Sequence, residues 1–206
     1  MPSRPSLLPG EYYLISLRGV DERDLFVDEL DRSRFLTTLY LANSGEPIHR
    51  SDYMHRTDEE VYALAKDTSL VEIGAYRLAT DHIEILIYEA TLGGTSKFMQ
   101  KLLTAYTMYF NKRHQRRGAL FAGKFTAKHL DGDKELRHAY ARIHLHAQPI
   151  EQKKKTAELT DDHEHTYSSV PEYLGVDRPQ GKILTPEAFP LYFEQLKERG
   201  EEMRAW

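Results

Sequence analysis

The chain has 206 residues, 40% hydrophobic and 29% charged, which provides for one domain with a sizeable core and excludes a disordered chain. No stretch offers 18 or more apolar residues for a membrane-spanning helix, and Met1-Pro2-Ser3-Arg4-Pro5 lacks a signal-peptide core, so the expected location is the cytoplasm. Without cysteine there is no disulfide, thiolate nucleophile or cysteine-ligated metal, and the net charge of −4 is the balance of two very unequal parts.

Residues 1–10 read as a loose tail, 11–18 as a first strand, and 19–24 as a turn. Residues 31–41 carry Phe35, Leu36, Leu39 and Tyr40 at helical spacing. The polar stretch that follows holds a short helix opened by the capping box Thr57-Asp58-Glu59-Glu60, and 45–69 reads as an insertion between helix and strand. Residues 70–78 and 80–88 form a hairpin of two strands rich in β-branched and aromatic residues. In the second strand His82 and Glu84 share one face, while Ile83, Ile85 and Ile87 take the other and are core candidates. An imidazole beside a carboxylate on a sheet is either a solvated polar edge or part of a grip on a divalent cation.

A long helix over 96–114 has Phe98, Leu102, Ala105, Tyr106, Tyr109 and Phe110 as its buried stripe, with Lys97, Lys101, Met108 and Lys112 on another face. After an arginine- and glycine-containing loop, 124–130 reads as a strand with Lys124, Thr126 and Lys128 on one side and Phe125 and Ala127 on the other. Asp131 or Asp133 would cap a helix from 134 to about 146. Lys153-Lys154-Lys155 reads as a linker, 161–165 is acidic and histidine-rich, with His163 and His165 read as solvated, and Thr185-Pro186-Glu187 would open a terminal helix. The order β-α-insert-β-β-α-β-α implies an α+β fold: a ferredoxin-like antiparallel sheet with helices on one face.

Charge is concentrated. Between 90 and 130 there is no Asp or Glu, yet Lys97, Lys101, Lys112, Arg113, Arg116, Arg117, Lys124 and Lys128 give +8; the remaining chain, with 20 basic and 32 acidic residues, is at −12. Such a block points to a polyanion, nucleic acid first, against the plainer reading of a solvated basic face.

Several stretches together carry a likeness. Phe98-Met99-Gln100-Lys101-Leu102 with residues 106–114, Gly118-Ala119-Leu120-Phe121-Ala122-Gly123-Lys124-Phe125, Ala127-Lys128-His129-Leu130-Asp131-Gly132-Asp133 with Arg142-Ile143-His144-Leu145, and Ser168-Ser169 with Tyr173-Leu174-Gly175 resemble the single-strand tyrosine transposases of the His-hydrophobic-His (HUH) type, the REP-associated subgroup in particular. The likeness runs from about residue 12 to 193. It divides the chain into the tail (1–10), a transposase-like domain (11–150) and a C-terminal docking segment with a terminal helix (151–206). It implies an HUH-type α+β fold in which two histidines bind Mg²⁺ or Mn²⁺ and polarise a DNA phosphate. A helix tyrosine attacks that phosphate and becomes linked to the DNA 5′ end, and a polar residue one helical turn after the tyrosine completes the metal site.

The chain departs from that pattern where chemistry is concerned. Pro-Asn-His-x-His becomes Thr80-Asp81-His82-Ile83-Glu84, and Tyr-Ile-His-Leu-Asn-Pro becomes Arg142-Ile143-His144-Leu145-His146-Ala147. An arginine stays protonated and cannot attack phosphorus. Tyr140 is the fallback nucleophile, but two residues along a helix turn it about 200° away. His82, Glu84 and His146 could still form a two-histidine, one-carboxylate set suited to Mn²⁺, Fe²⁺ or Zn²⁺ if the helix face carrying His146 looks at the sheet, with Mg²⁺ or Mn²⁺ the ion that the resemblance implies; Arg142 could bind a phosphate, or pair with Glu84 and close the site. The resulting expectation is a DNA-binding protein for single-stranded or hairpin DNA, monomer or homodimer, with the tyrosine reaction lost. Lys97, Lys101, Lys112, Arg113, Arg116, Arg117, Lys124, Lys128 and Arg142 would contact phosphates, and Tyr109 or Phe121 could stack on bases. The alternative is a metal-dependent nicking or strand-transfer enzyme using water or a displaced tyrosine; RNA binding on the sheet is a third.

Overall fold

The computed structural model describes residues 7–49, 55–66, 68–145 and 167–190. The expectations for residues 1–6, His146, the lysine linker, His163, His165 and the chain past 190 lie outside them.

Four segments build one sheet, three of them buried along most of their length. β1 (Tyr12–Arg18), β2 (Glu72–Leu78), β3 (His82–Tyr88) and β4 (Thr126–His129) lie in the order β2-β3-β1-β4, with every neighbour antiparallel. The β2–β3 hairpin closes through the Ala79 N–H, which donates to His82 O at 2.9 Å. β4 is shorter than its sequence suggested: Gly123 takes φ +87° and residues 122–125 bend away before pairing starts at Thr126.

One face of the sheet holds the main core. Ile15, Leu17, Ile83, Ile85 and Ile87 pack under α1 (Glu29–Ala42) and α3 (Gly94–Arg113), which contribute Phe35, Leu39, Phe98, Leu102 and Tyr106. Each such side chain, fully buried, is worth about 1.5–3 kcal/mol. α1 starts on Asp28, whose side chain accepts from Asp31 N. α3 starts after Gly93, and the buried Glu89 carboxylate accepts its Thr95 N–H at 2.9 Å. The short α2 (Asp58–Tyr62) has the full Thr57–Glu60 capping box. Among the described residues no helix is long and apolar enough to cross a membrane.

The other face is covered too, by the last helix of the β-α-β-β-α-β-α order, which that order left free to lie there. α4 (Asp133–Leu145) presents Leu136, Ala139, Tyr140 and Ile143, one stripe at helical spacing, to Leu14, Ala75 and Leu86 of the sheet. Strand residues that alternation places on the second face are apolar here, and they required a partner.

The segment beyond residue 166 seals the rim of β2. Leu78 N donates to Tyr167 O, Ser169 N to Tyr76 O and Thr185 N to Ile73 O, each at 3.0 Å. The short α5 (Val170–Tyr173) lies within this run. Thr185 makes no side-chain cap; its hydroxyl accepts from Ile73 N at 2.9 Å, only a 3-10 turn follows over Pro186–Ala188, and Phe189 is extended and buried against α4.

Candidate nucleic-acid interface

The second face of the sheet divides along the strands. Its apolar half, around Leu14 and Leu86, lies under α4. Its other half is polar because the sequence puts Ser16, Arg18, Arg77, His82, Glu84 and Thr126 on that parity. Register lines them up: Arg77 opposite Glu84, Glu84 opposite Ser16, and Ser16 opposite Thr126, with Arg18 opposite His82 in the neighbouring row. Ala122 N bonds Arg18 O, which brings the loop before Lys124 to the same end of the sheet.

Glu84 is the centre of this half. Its side chain is 2% exposed, with Arg142 Nη2 at 2.5 Å from Oε1 and Arg77 Nη1 at 3.9 Å from Oε2. The contact at Oε1 is an ion pair without hydrogen-bond alignment. Arg142 stands two residues beyond the buried Tyr140 on α4, so it leaves the apolar stripe and reaches the polar half, while 57% of its side chain remains exposed. Arg142 therefore makes the expected pair with Glu84 without being enclosed by it. His82 Nδ1 is 2.6 Å from Asp81 Oδ1, and that hydrogen bond from His82 holds the Asp81 carboxyl below its ordinary range.

Glu84 faces two guanidiniums, whose charge repels a divalent cation at that carboxylate. His82 Nδ1 is taken by Asp81, which leaves its Nε2 for any other contact, and His146, the third residue of the expected metal set, lies outside the described residues. Among the described residues no three His, Asp or Glu side chains are placed to hold a metal ion. His144, in α4, turns inward instead: it is buried, its Nε2 lies 2.8 Å from Ser169 Oγ, and its ring packs on Tyr173.

Tyr140 is not placed to be a nucleophile. It is 2% exposed, and its hydroxyl lies where a Cβ on Gly74 would be 2.6 Å away. Phe189 and Tyr173 stand edge-on to its ring.

The basic block is scattered over several surfaces. Lys97, Lys101 and Lys112 line a groove of about 980 Å³ on the outer side of α3, behind the main core. Two of them donate to backbone carbonyls: Lys101 to Ser44 O at 2.6 Å and Lys97 to Gly45 O at 3.3 Å. Arg113 is a structural residue, at 2.6 Å from Asp28 Oδ2 and 2.5 Å from Asp31 Oδ1; this holds the Asp28 carboxyl down at about 2 and pushes the guanidinium up. Arg116 is likewise occupied, donating to Asn111 Oδ1 and Ala119 O. Lys128 meets Glu135 at 3.6 Å, while Arg117 and Lys124 are exposed. Neither proposed stacking ring is presented: Phe121 is 7% exposed within the core, and Tyr109 donates to Asp31 Oδ1 with Arg34 over its ring.

Arg18 and Arg77 belong to the polar half although the basic block does not include them. Strand alternation with Ser16 and with Leu78 was the signal that could have found them.

No protein-family profile and no curated protein matches the chain. A solved structure of a REP-associated tyrosine transposase bound to a REP hairpin does, with a TM-score of 0.53 at 10% identity over 87% of this chain and 90% of that one. At that identity the likeness concerns the fold: this α+β chain, with its four-stranded antiparallel sheet and flanking helices, has the fold of that transposase.

Proposed function

We propose that the chain is a transposase-like protein that binds single-stranded or hairpin DNA at the polar half of the sheet and no longer performs the tyrosine reaction. The observation that carries this reading is the Arg142–Glu84 pair. A protonated guanidinium stands at the residue matching the family's tyrosine and meets the carboxylate that replaces its second histidine. Tyr140 offers no replacement from within the core. The structural neighbour carries a hairpin, and this chain has Arg18, Lys124 and Arg142 gathered at one end of its sheet. Against the alternative, a metal-dependent nicking enzyme, stands the arginine environment of Glu84.

The test is a labelled DNA hairpin with a single-stranded tail, incubated with the full chain with and without Mn²⁺. The expected result is a complex whose affinity falls steeply with salt, with no nicked product and no covalent adduct. A flat salt response would remove the DNA-binding reading. An adduct that disappears in Tyr140→Phe would restore the transposase reaction.

A further inference from the structure

We infer that Arg77, Glu84 and Arg142 form a phosphodiester-binding centre in which guanidinium charge replaces a divalent cation, so that DNA binding needs no metal. The inference rests on the DNA-binding reading above and specifies the chemistry of its site.

A carboxylate with 2% exposure in the middle of a sheet is costly unless cations face it. Here two do, and the group of one acid and two arginines carries an excess of one positive charge. The adjoining row adds Arg18 and the hydrogen-bonded pair of Asp81 and His82. Among these described residues arginines outnumber carboxylates, on a protein whose net charge is −4.

The two arginines play different parts. Arg77 is 12% exposed and lies in the sheet row, so it balances Glu84 from below. Arg142 is 57% exposed, and its Nη2 stands at Glu84 Oε1. A guanidinium has five N–H donors in one plane, so an arginine held by charge at one nitrogen still has donors to offer an anion. Paired oxygens at phosphate spacing match such donors. Glu84 is thus a positioning residue that orients Arg142; it is not a ligand.

The experiment uses the full chain and a fluorescent DNA hairpin with a single-stranded tail, titrated by anisotropy over a salt series in EDTA and again in Mn²⁺. Affinities in the two buffers should agree within about twofold. Arg142→Gln should weaken binding by about tenfold and lower the slope of log affinity against log salt by about one. Arg142→Lys should keep the slope and lose part of the affinity, because it retains the charge without the fork. Arg137→Gln, on the same helix but paired with Asp133, makes the same change in net charge and should leave the slope unchanged. Thermal melts separate a mere staple between α4 and the sheet, for which Arg142→Gln would lower the midpoint and leave the slope intact. That result, or wild-type binding abolished by EDTA, overturns the inference while leaving DNA binding standing. Absence of salt-dependent binding by the wild type overturns both.

Discussion

Asp31 shows how much of this fold depends on single side chains. It is fully buried at the start of α1 and accepts from Val27 N at 2.9 Å, Tyr109 Oη at 3.0 Å and Arg113 Nη1 at 2.5 Å, with His114 Nε2 at 2.9 Å. Removing the carboxylate takes one of the two acid partners of Arg113 and leaves three further polar groups without theirs, so Asp31→Ala should lose about 3–5 kcal/mol in urea unfolding. Asp28 makes a weaker, pH-dependent contribution. Its hydrogen bond from Arg113 lowers its carboxyl from 3.8 to about 2, so the folded state binds its proton less readily than the unfolded chain. That stability is present above about 3.8 and is lost as pH falls through about 2. Asp28→Asn should accordingly flatten the thermal midpoint over that window, and an unchanged profile would refute it. Neither role could be read from the sequence. Arg113 sits among arginines and lysines of identical local character, and its carboxylate partners lie 82 and 85 residues upstream.

At the scale of elements, β2 has a fault in its alternation that the chain exploits. Ile73 and Tyr76 both enter the main core although three positions apart, because the register slips between Ile73 and Ala75 and Gly74 forms a bulge. A Cβ on Gly74 would lie 2.6 Å from Tyr140 Oη and 2.7 Å from the Phe189 ring. Gly74→Ala should therefore destabilise the protein by about 1–3 kcal/mol and hasten proteolysis within 167–190, since Phe189 must move out. A glycine inside a strand was a visible sign of a bulge; what would pack on it was not. The strands, α3 and the Thr57 capping box were legible because each follows from local periodicity. The use of Thr185 was not, because its hydroxyl serves a strand 112 residues away in place of its own turn. The covered second face was half legible: the stripe of Leu136, Ala139, Tyr140 and Ile143 was there to be read, but its partners lie on three different strands and segments.

For the whole molecule, the acid-free run was plain in the sequence, and its division between surfaces was not. α3 lies behind the sheet and β4 within it, so residues adjacent in the chain point to different sides. A strand held on the polar half would meet Lys124 before the α3 lysines, two of which already donate to carbonyls. Charge reversal at Lys124 should thus reduce hairpin affinity more than reversal at Lys97 or at Lys112. Equal losses would show that DNA wraps the molecule or sits on the helix side.

The sealed rim of β2 also sets a clock on biosynthesis. Its strand is complete at Leu78, yet the residues that satisfy its outer hydrogen bonds, Ser169 and Thr185, come 93 and 112 residues after their partners. At translation rates of about 5–20 residues per second, the nascent sheet waits roughly 5–20 s with that rim bare. An unpaired rim is a template for other chains. Ribosomes that stall between these points would release a species with a formed sheet and an open side, the form of this protein most in need of a chaperone.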